Sequence, residues 1–174
     1  MAIREILIYP DDGLRQMARP VQDSTGAEVR QLVQDLADTM YDAPGVGLAA
    51  TQIGVNLRVV VTDTEWRQEG AVRDLHVWIN PEIISFGDKK VTFEEGCLSV
   101  PEIYEEVERP AHIRLRWCDL DGNRHEADFE GFEAVALQHE FDHLDGKLFI
   151  DRLSSLKQNL IKKKLKKRKK LAVA

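Results

Sequence analysis

The sequence predicts an α+β fold, with antiparallel strands folded around a helix and a further helix at the C-terminal end. Three observations carry this. A helical stripe of apolar residues occupies the first quarter of the chain. Short segments rich in β-branched and aromatic residues fill the middle, and the helical period returns after Gly131. Helices and strands are segregated rather than alternating, which argues against a βαβ layout.

Each element follows from its residues. Thr25 and Glu28 stand in capping-box spacing. They open a run in which Val29, Leu32, Val33, Leu36 and Met40 share one stripe, predicting a helix over about 26–41. Pro44 and Gly45 then force a loop. Residues 57–63, 75–80 and 82–86 read as strands, with Pro81 separating the last two. Residues 91–93 form a short strand leading into Glu94-Glu95-Gly96-Cys97-Leu98-Ser99. Residues 112–117 alternate Ile113 and Leu115 with Arg114 and Arg116, a half-solvated strand. Asp121-Gly122 signals a hairpin to a strand near 125–129. Phe132, Val135, Ala136, His139 and His143 lie at three- and four-residue spacing, and Gly146 stands where that helix would stop. Leu156, Leu160, Ile161 and Leu165 among lysines predict an amphipathic helix from Ser154 or Ser155.

A chain of 174 residues, 43% hydrophobic and 31% charged, suits one domain with a sizeable core. No apolar run approaches the ~18 residues needed to cross a bilayer. Arg4 and Glu5 interrupt the N-terminus and no long apolar segment follows, so no secretory signal is expected. Two cysteines, Cys97 and Cys118, cannot build a disulfide framework, and the expected location is the cytoplasm. The net charge of −6 hides an asymmetry. From Arg152 onward there are ten Lys or Arg and no acid, whereas the preceding 151 residues carry −16. The expected division is a body over 1–151 that holds the chemistry and a basic helical extension over 152–174 that meets a polyanion.

The sharpest chemical signal is His139-Glu140-Phe141-Asp142-His143. On a helix, i and i+4 share a face, so both imidazoles can reach one ion. Glu140 then stands beside a water on that ion, in the general-base position of an H-E-x-x-H hydrolase. The competing reading is a core helix whose histidines bond buried carbonyls. A catalytic ion needs a third protein ligand. His112 and His125 are candidates, but they and His76 read better as surface or structural residues. Cys97 is the better candidate, because a thiolate is a strong ligand and Gly96 lets the backbone bend close. Its other reading is a small buried hydrophobe. Cys118 has no such context and reads as structural. Gly45-Val46-Gly47-Leu48-Ala49-Ala50-Thr51-Gln52 makes a loop whose backbone can approach a ligand. It lacks the third glycine of a dinucleotide fingerprint and the Gly-Lys-Ser/Thr ending of a P-loop.

GVGLAATQ, EGCLS and QHEFDH, in this order, resemble the three signature motifs of the peptide deformylases, and the resemblance extends over nearly the whole chain. It implies a small α+β domain whose central metal-binding helix carries HEFDH amid antiparallel strands. It implies removal of the formyl group from the formyl-methionine end of nascent polypeptides, with release of formate. By that resemblance Cys97, His139 and His143 hold the metal and Glu140 is the catalytic acid/base. Gln52 would donate its side-chain amide, and Leu98 its backbone N–H, to the substrate oxygen. Gly47 would contact the substrate through its backbone. Val46, Phe93, Phe132, Val135 and Ala136 would line the methionine slot. The implied metal is Fe2+, with Zn2+, Ni2+ or Co2+ able to substitute. Many relatives carry an arginine after EGCLSVPE that helps hold the peptide main chain. Here the stretch reads Ile103-Tyr104-Glu105-Glu106, and the glutamates are expected to disfavour acidic peptides.

Residues 162–170 hold eight basic residues in nine. Such a field suits RNA phosphates, and the resemblance implies contact with the ribosome near the polypeptide exit. No membrane or DNA partner is expected. Two other functions compete. A metallo-endopeptidase would share H-E-x-x-H, but no acidic or imidazole ligand follows at protease spacing. A non-enzymatic RNA-binding protein would use the tail, but the body is acidic and has no base-stacking motif.

Overall fold

The computed structural model describes residues 2–173, with side chains described through Lys167. The basic run expected over 162–170 is therefore described as far as Lys167, and its last side chains lie outside the described residues. Three helices, α1 (Ala27–Asp42), α2 (Gly131–Leu144) and α3 (Ser155–Val173), accompany seven strands. These are β1 (Gly47–Ala49), β2 (Val59–Thr62), β3 (His76–Phe86), β4 (Lys90–Cys97), β5 (Val100–Pro110), β6 (His112–Cys118) and β7 (Arg124–Glu130). A five-stranded sheet runs β1-β2-β3-β6-β7, and β4-β5 form a separate two-stranded ribbon. Every strand pairing is antiparallel. No helix among the described residues is long and apolar enough to cross a membrane.

The sheet is sandwiched between the first two helices. Val59 and Val61 of β2 join Val29, Leu32, Val33, Leu36 and Met40 of α1 in one core. Val60, one residue out of phase, joins Ala134, Leu137, Phe141 and Leu144 of α2 in another. Both faces of β2 are covered, so its run Val59-Val60-Val61-Thr62 is buried throughout, without alternation. A third core gathers Val100, Ile103 and Val107 of β5 with Leu148, Phe149 and Ile150, and with Ile161 and Leu165 of α3.

Three local expectations change. Helix α1 has Gly26 at its N-cap with no side-chain cap, because Thr25 turns its hydroxyl to Asp23 Oδ1 at 2.6 Å. Residues 75–80 and 82–86 are one strand, β3, which carries Pro81 through a register shift between Ile79 and Glu82. A bulge tolerates proline because the missing N–H has no ladder partner to lose. Asn80, at φ 50°, instead offers its side chain to Val21: Oδ1 accepts from the Val21 N–H at 2.8 Å and Nδ2 donates to the Val21 carbonyl at 2.9 Å. Residues 91–93 extend into β4, paired along its length with β5.

Candidate metal centre and active site

Helix α2 crosses beneath the sheet and presents His139, Glu140 and His143 to the end of β4, where Cys97 stands. Donor atoms of Cys97, His139 and His143 lie within 4.8 Å of one another, the one such group among the described residues. Cys97 Sγ is 3.3 Å from His143 Nε2. The two imidazole centroids are 5.1 Å apart, as one helical turn requires. A thiolate with two imidazoles is a donor set that suits Fe(II), Zn(II) and related ions. The residues fit such an ion.

Electrostatics around these groups is uneven. Burial pushes both histidines toward the neutral form. For His139 the Cys97 sulfur and the Glu95 carboxylate outweigh burial and hold it well above its ordinary value. His143 is driven well below by burial and then by the charge on His139. Glu140 is 7% exposed, and its Oε1 is buried without a hydrogen-bond partner. Burial raises its carboxyl to about 7, with the His139 charge pulling it down and Glu95 pushing it up. That range suits a group which must take and return a proton near neutral pH.

Two further motifs close on the same place. A Cβ built on Gly47 would lie 2.6 Å from Glu140 Oε2, so only glycine lets β1 pass beside this carboxylate. Gln52, in the short 3-10 helix Ala50–Ile53, is 1% exposed. The Ala49 N–H donates to its Oε1 at 2.9 Å, which turns the amide nitrogen toward Ser99 Oγ at 3.1 Å and Cys97 Sγ at 3.6 Å. Leu98 follows Cys97, and its side chain meets the space a Cβ on Gly45 would need. A cleft of about 570 Å³ is lined by Val46, Gly47, Gln52, Cys97, Leu98, His139 and Glu140, among others.

The remaining sequence-predicted residues lie elsewhere. Phe93 and Phe132 meet edge to face at 5.8 Å, and Phe132 is 44% exposed. Val135 and Ala136 are buried on α2 one turn before His139. These four are not among the cleft's lining residues. Exposed His76 and His125 pair with Asp74 and Asp119, and half-buried His112 pairs with Asp128. Cys118 packs at the edge of the α1 core.

Sequence reasoning missed a buried charge chain behind the metal ligands. Glu95 Oε1 is 2.9 Å from His139 Nδ1. Fully buried Arg109 grips Glu95 through Nε at 2.6 Å and Nη2 at 2.8 Å. Its Nη1 donates to Asp142 Oδ2 at 2.9 Å, and Arg152 closes on Asp142 with two bonds of 2.9 and 3.0 Å. Burial would raise both carboxyls, and the arginines reverse it and hold Glu95 and Asp142 below the carboxylate range. One signal was available: Glu95 is two residues from Cys97 on one strand, hence on the same face.

A model of the polypeptide deformylase family matches residues 3–159. The chain belongs to the peptide deformylase family. A peptide deformylase of Nitrobacter hamburgensis is 52% identical over 174 residues, 99% of each chain. One from Afipia carboxidovorans is 53% identical over 173 residues, again 99% of each. Among solved structures, the peptide deformylase of Legionella pneumophila superposes with a TM-score of 0.88 at 45% identity, covering 99% of this chain and 98% of that one. That of Ehrlichia chaffeensis in complex with actinonin gives 0.89 at 35% identity, covering 97% and 98%. The α+β architecture is thus that of the family.

Proposed function

We propose a division of labour among the residues of this cleft for the family reaction. The chain is a metallo-hydrolase that removes the formyl group from the N-terminal formyl-methionine of nascent polypeptides, releasing formate. Cys97, His139 and His143 hold the ion, which when bound supplies Lewis-acid polarisation and an activated water at neutral pH. We take it to be Fe2+, with Zn2+, Ni2+ or Co2+ able to replace it. Glu140 accepts the proton of the attacking water and returns it to the departing methionine nitrogen. Gln52, its oxygen held by the Ala49 N–H, offers Nε2 to the oxygen that gains charge, and the Leu98 N–H is the second donor. Gly47 holds the peptide backbone. Val46 is the methionine contact within the cleft; Phe93, Phe132, Val135 and Ala136, which stand outside its lining, would complete the slot only if the side chain reaches past it.

The observation that carries this reading is the convergence of one sulfur and two ring nitrogens within 4.8 Å, with Glu140 buried beside Gly47. The test is formate release from a formyl-Met-Ala-Ala peptide by protein purified without air, with metal content measured on the same sample. Glu140→Gln should retain metal and lose turnover. Gln52→Ala should retain metal and lose about 10²–10³ in turnover. Full activity in either variant removes that residue from the scheme.

The partner reading concerns α3. Lys162, Lys163, Lys164, Lys166 and Lys167 are exposed on a helix without one acidic residue. We read this face as a contact for ribosomal RNA, which places the cytoplasmic enzyme where nascent chains emerge. The catalytic unit is then 1–151 and the extension 152–174. Replacing Lys163, Lys166 and Lys167 with Gln should abolish salt-sensitive ribosome cosedimentation and leave peptide turnover intact. Unchanged cosedimentation refutes the contact.

A further inference from the structure

We infer that Arg67 selects an acidic side chain at the third residue of the substrate; this rests on the reading above. The argument begins at β1, an edge strand of the five-stranded sheet. The Val46 carbonyl points inward and accepts from the Asp63 N–H at 2.9 Å. Strand alternation turns the N–H and carbonyl of Gly47 to the opposite edge, into the cleft. An extended peptide added there pairs its first residue at Gly47, beside Glu140. Two residues back along the chain, just outside β1, Gly45 has both backbone groups engaged: its N–H donates to the Met40 carbonyl at 2.7 Å and its carbonyl accepts from Trp66 Nε1 at 2.8 Å. Strand addition stops at this indole.

Trp66 is itself fixed. Its ring meets Tyr41 edge-on at 5.0 Å, and the Arg73 guanidinium lies over both rings, 4.1 Å from the centroid of Tyr41 and 5.3 Å from that of Trp66. Tyr41 is tied in turn to Asp63 through a 2.7 Å hydrogen bond. The loop from β2 to β3 is thus anchored at the residue preceding Arg67. Arg67 lines the cleft, is exposed, and has no ion-pair partner among the described residues. It is also the only Lys or Arg among the described residues that line the cleft. At about 3.3 Å per residue, the third substrate residue reaches the level of Gly45 and Trp66. A carboxylate there meets an unpaired guanidinium. Two carboxylates share the cleft wall with it: Glu140 beside Gly47, and Glu102, which has an interaction of its own. Glu105 and Glu106 do not line the cleft, and Glu105 is paired with Lys157 at 3.3 Å.

The test is kcat/KM on three C-terminally amidated peptides, formyl-Met-Ala-Glu, formyl-Met-Ala-Gln and formyl-Met-Ala-Lys, at low and high salt. An exposed pair gives roughly a two- to fivefold preference for Glu over Lys at low ionic strength, fading with salt. Arg67→Ala should level the series and Arg67→Glu should invert it, while the Gln peptide stays within about twofold. A free C-terminal carboxylate on formyl-Met-Ala-Ala, compared with its amide, separates capture of a chain end from capture of a side chain. The proposal is overturned if the wild-type protein shows no Glu-over-Lys preference, if Arg67→Glu leaves the preference unchanged, or if only the free chain end responds. No turnover of the Gln peptide by wild-type protein would instead overturn the reaction assigned above.

Discussion

Glu95 stands behind His139, its Oε1 2.9 Å from the ring Nδ1. This contact fixes which nitrogen of His139 faces Cys97 and His143, and it raises the basicity of the other. Glu95 is in turn immobilised by the two bonds from buried Arg109. Removing such an outer partner typically costs 10–100-fold in metal affinity. Glu95→Gln should therefore release metal to a competing chelator at about 10–100-fold lower chelator concentration than the wild-type protein. Glu95→Ala should additionally lower thermal stability, because Arg109 is left buried with only Asp142. Equal metal retention by Glu95→Gln would separate this carboxylate from the ligand set.

Gly47 and Glu140 approach closely in the site. A methyl group at 47 would sit 2.6 Å from Glu140 Oε2 and 2.9 Å from its Cδ. The carboxylate cannot retreat freely, since it is 7% exposed. A displacement of about 1 Å can cost roughly 10² in rate. Gly47→Ala should lose about that much in kcat while keeping its metal. The measurement is a kcat and metal-content pair on the same preparation.

The legible parts of the molecule are those with a period. Val29 to Met40 gave one face of α1, and His139 with His143 marked one face of α2, because a spacing of four needs no tertiary information. Strand β5 was missed. Its buried positions, Ile103, Val107 and Arg109, alternate with glutamates, and an arginine in an inward slot reads as solvent-facing. Only Glu95 and Asp142, brought from 14 and 33 residues away, make that slot tenable. The span of β3 through Pro81 was hidden for a similar reason, since the bulge depends on Asn80 reaching Val21, 59 residues away. Trp66 and Arg67 carried no pattern, and Trp66 is placed by the Gly45 carbonyl, which no local spacing announces.

Helix α3 is held to the body by Ile161 and Leu165, 6% and 4% exposed, against Val100, Val107 and Phe149. Leu156 and Leu160 on the same helix are 71% and 58% exposed. The two pairs should respond differently to truncation. Ile161→Ala should cost about 2–3 kcal/mol, as a core cavity does, whereas Leu160→Ala should fall within ±0.5 kcal/mol. Urea unfolding measures both. A shortened chain that keeps both anchors must therefore end beyond Leu165.

Arg15 and Asp151 tie the N-terminal 3-10 helix Asp12–Arg15 to the turn Phe149–Arg152, with bonds of 2.6 and 3.1 Å. Asp151 also accepts from the Leu148 N–H at 2.9 Å. Burial alone would raise this carboxyl, but the Arg15 guanidinium and the Leu148 N–H hold it below its ordinary value. A carboxylate with a lowered folded-state pKa stabilises the fold above its unfolded value of about 3.9 and loses that contribution as pH falls through the lowered value. The side chains of the pair are 40% and 32% exposed, so solvent limits the effect to about 1 kcal/mol. Asp151→Asn should lower the urea midpoint at pH 7. The gap from the wild-type protein should close as the pH is taken below 4, because protonation removes from the wild type what the substitution has already removed. A gap that persists unchanged at low pH would assign the loss to the Leu148 turn rather than to the charge on Asp151.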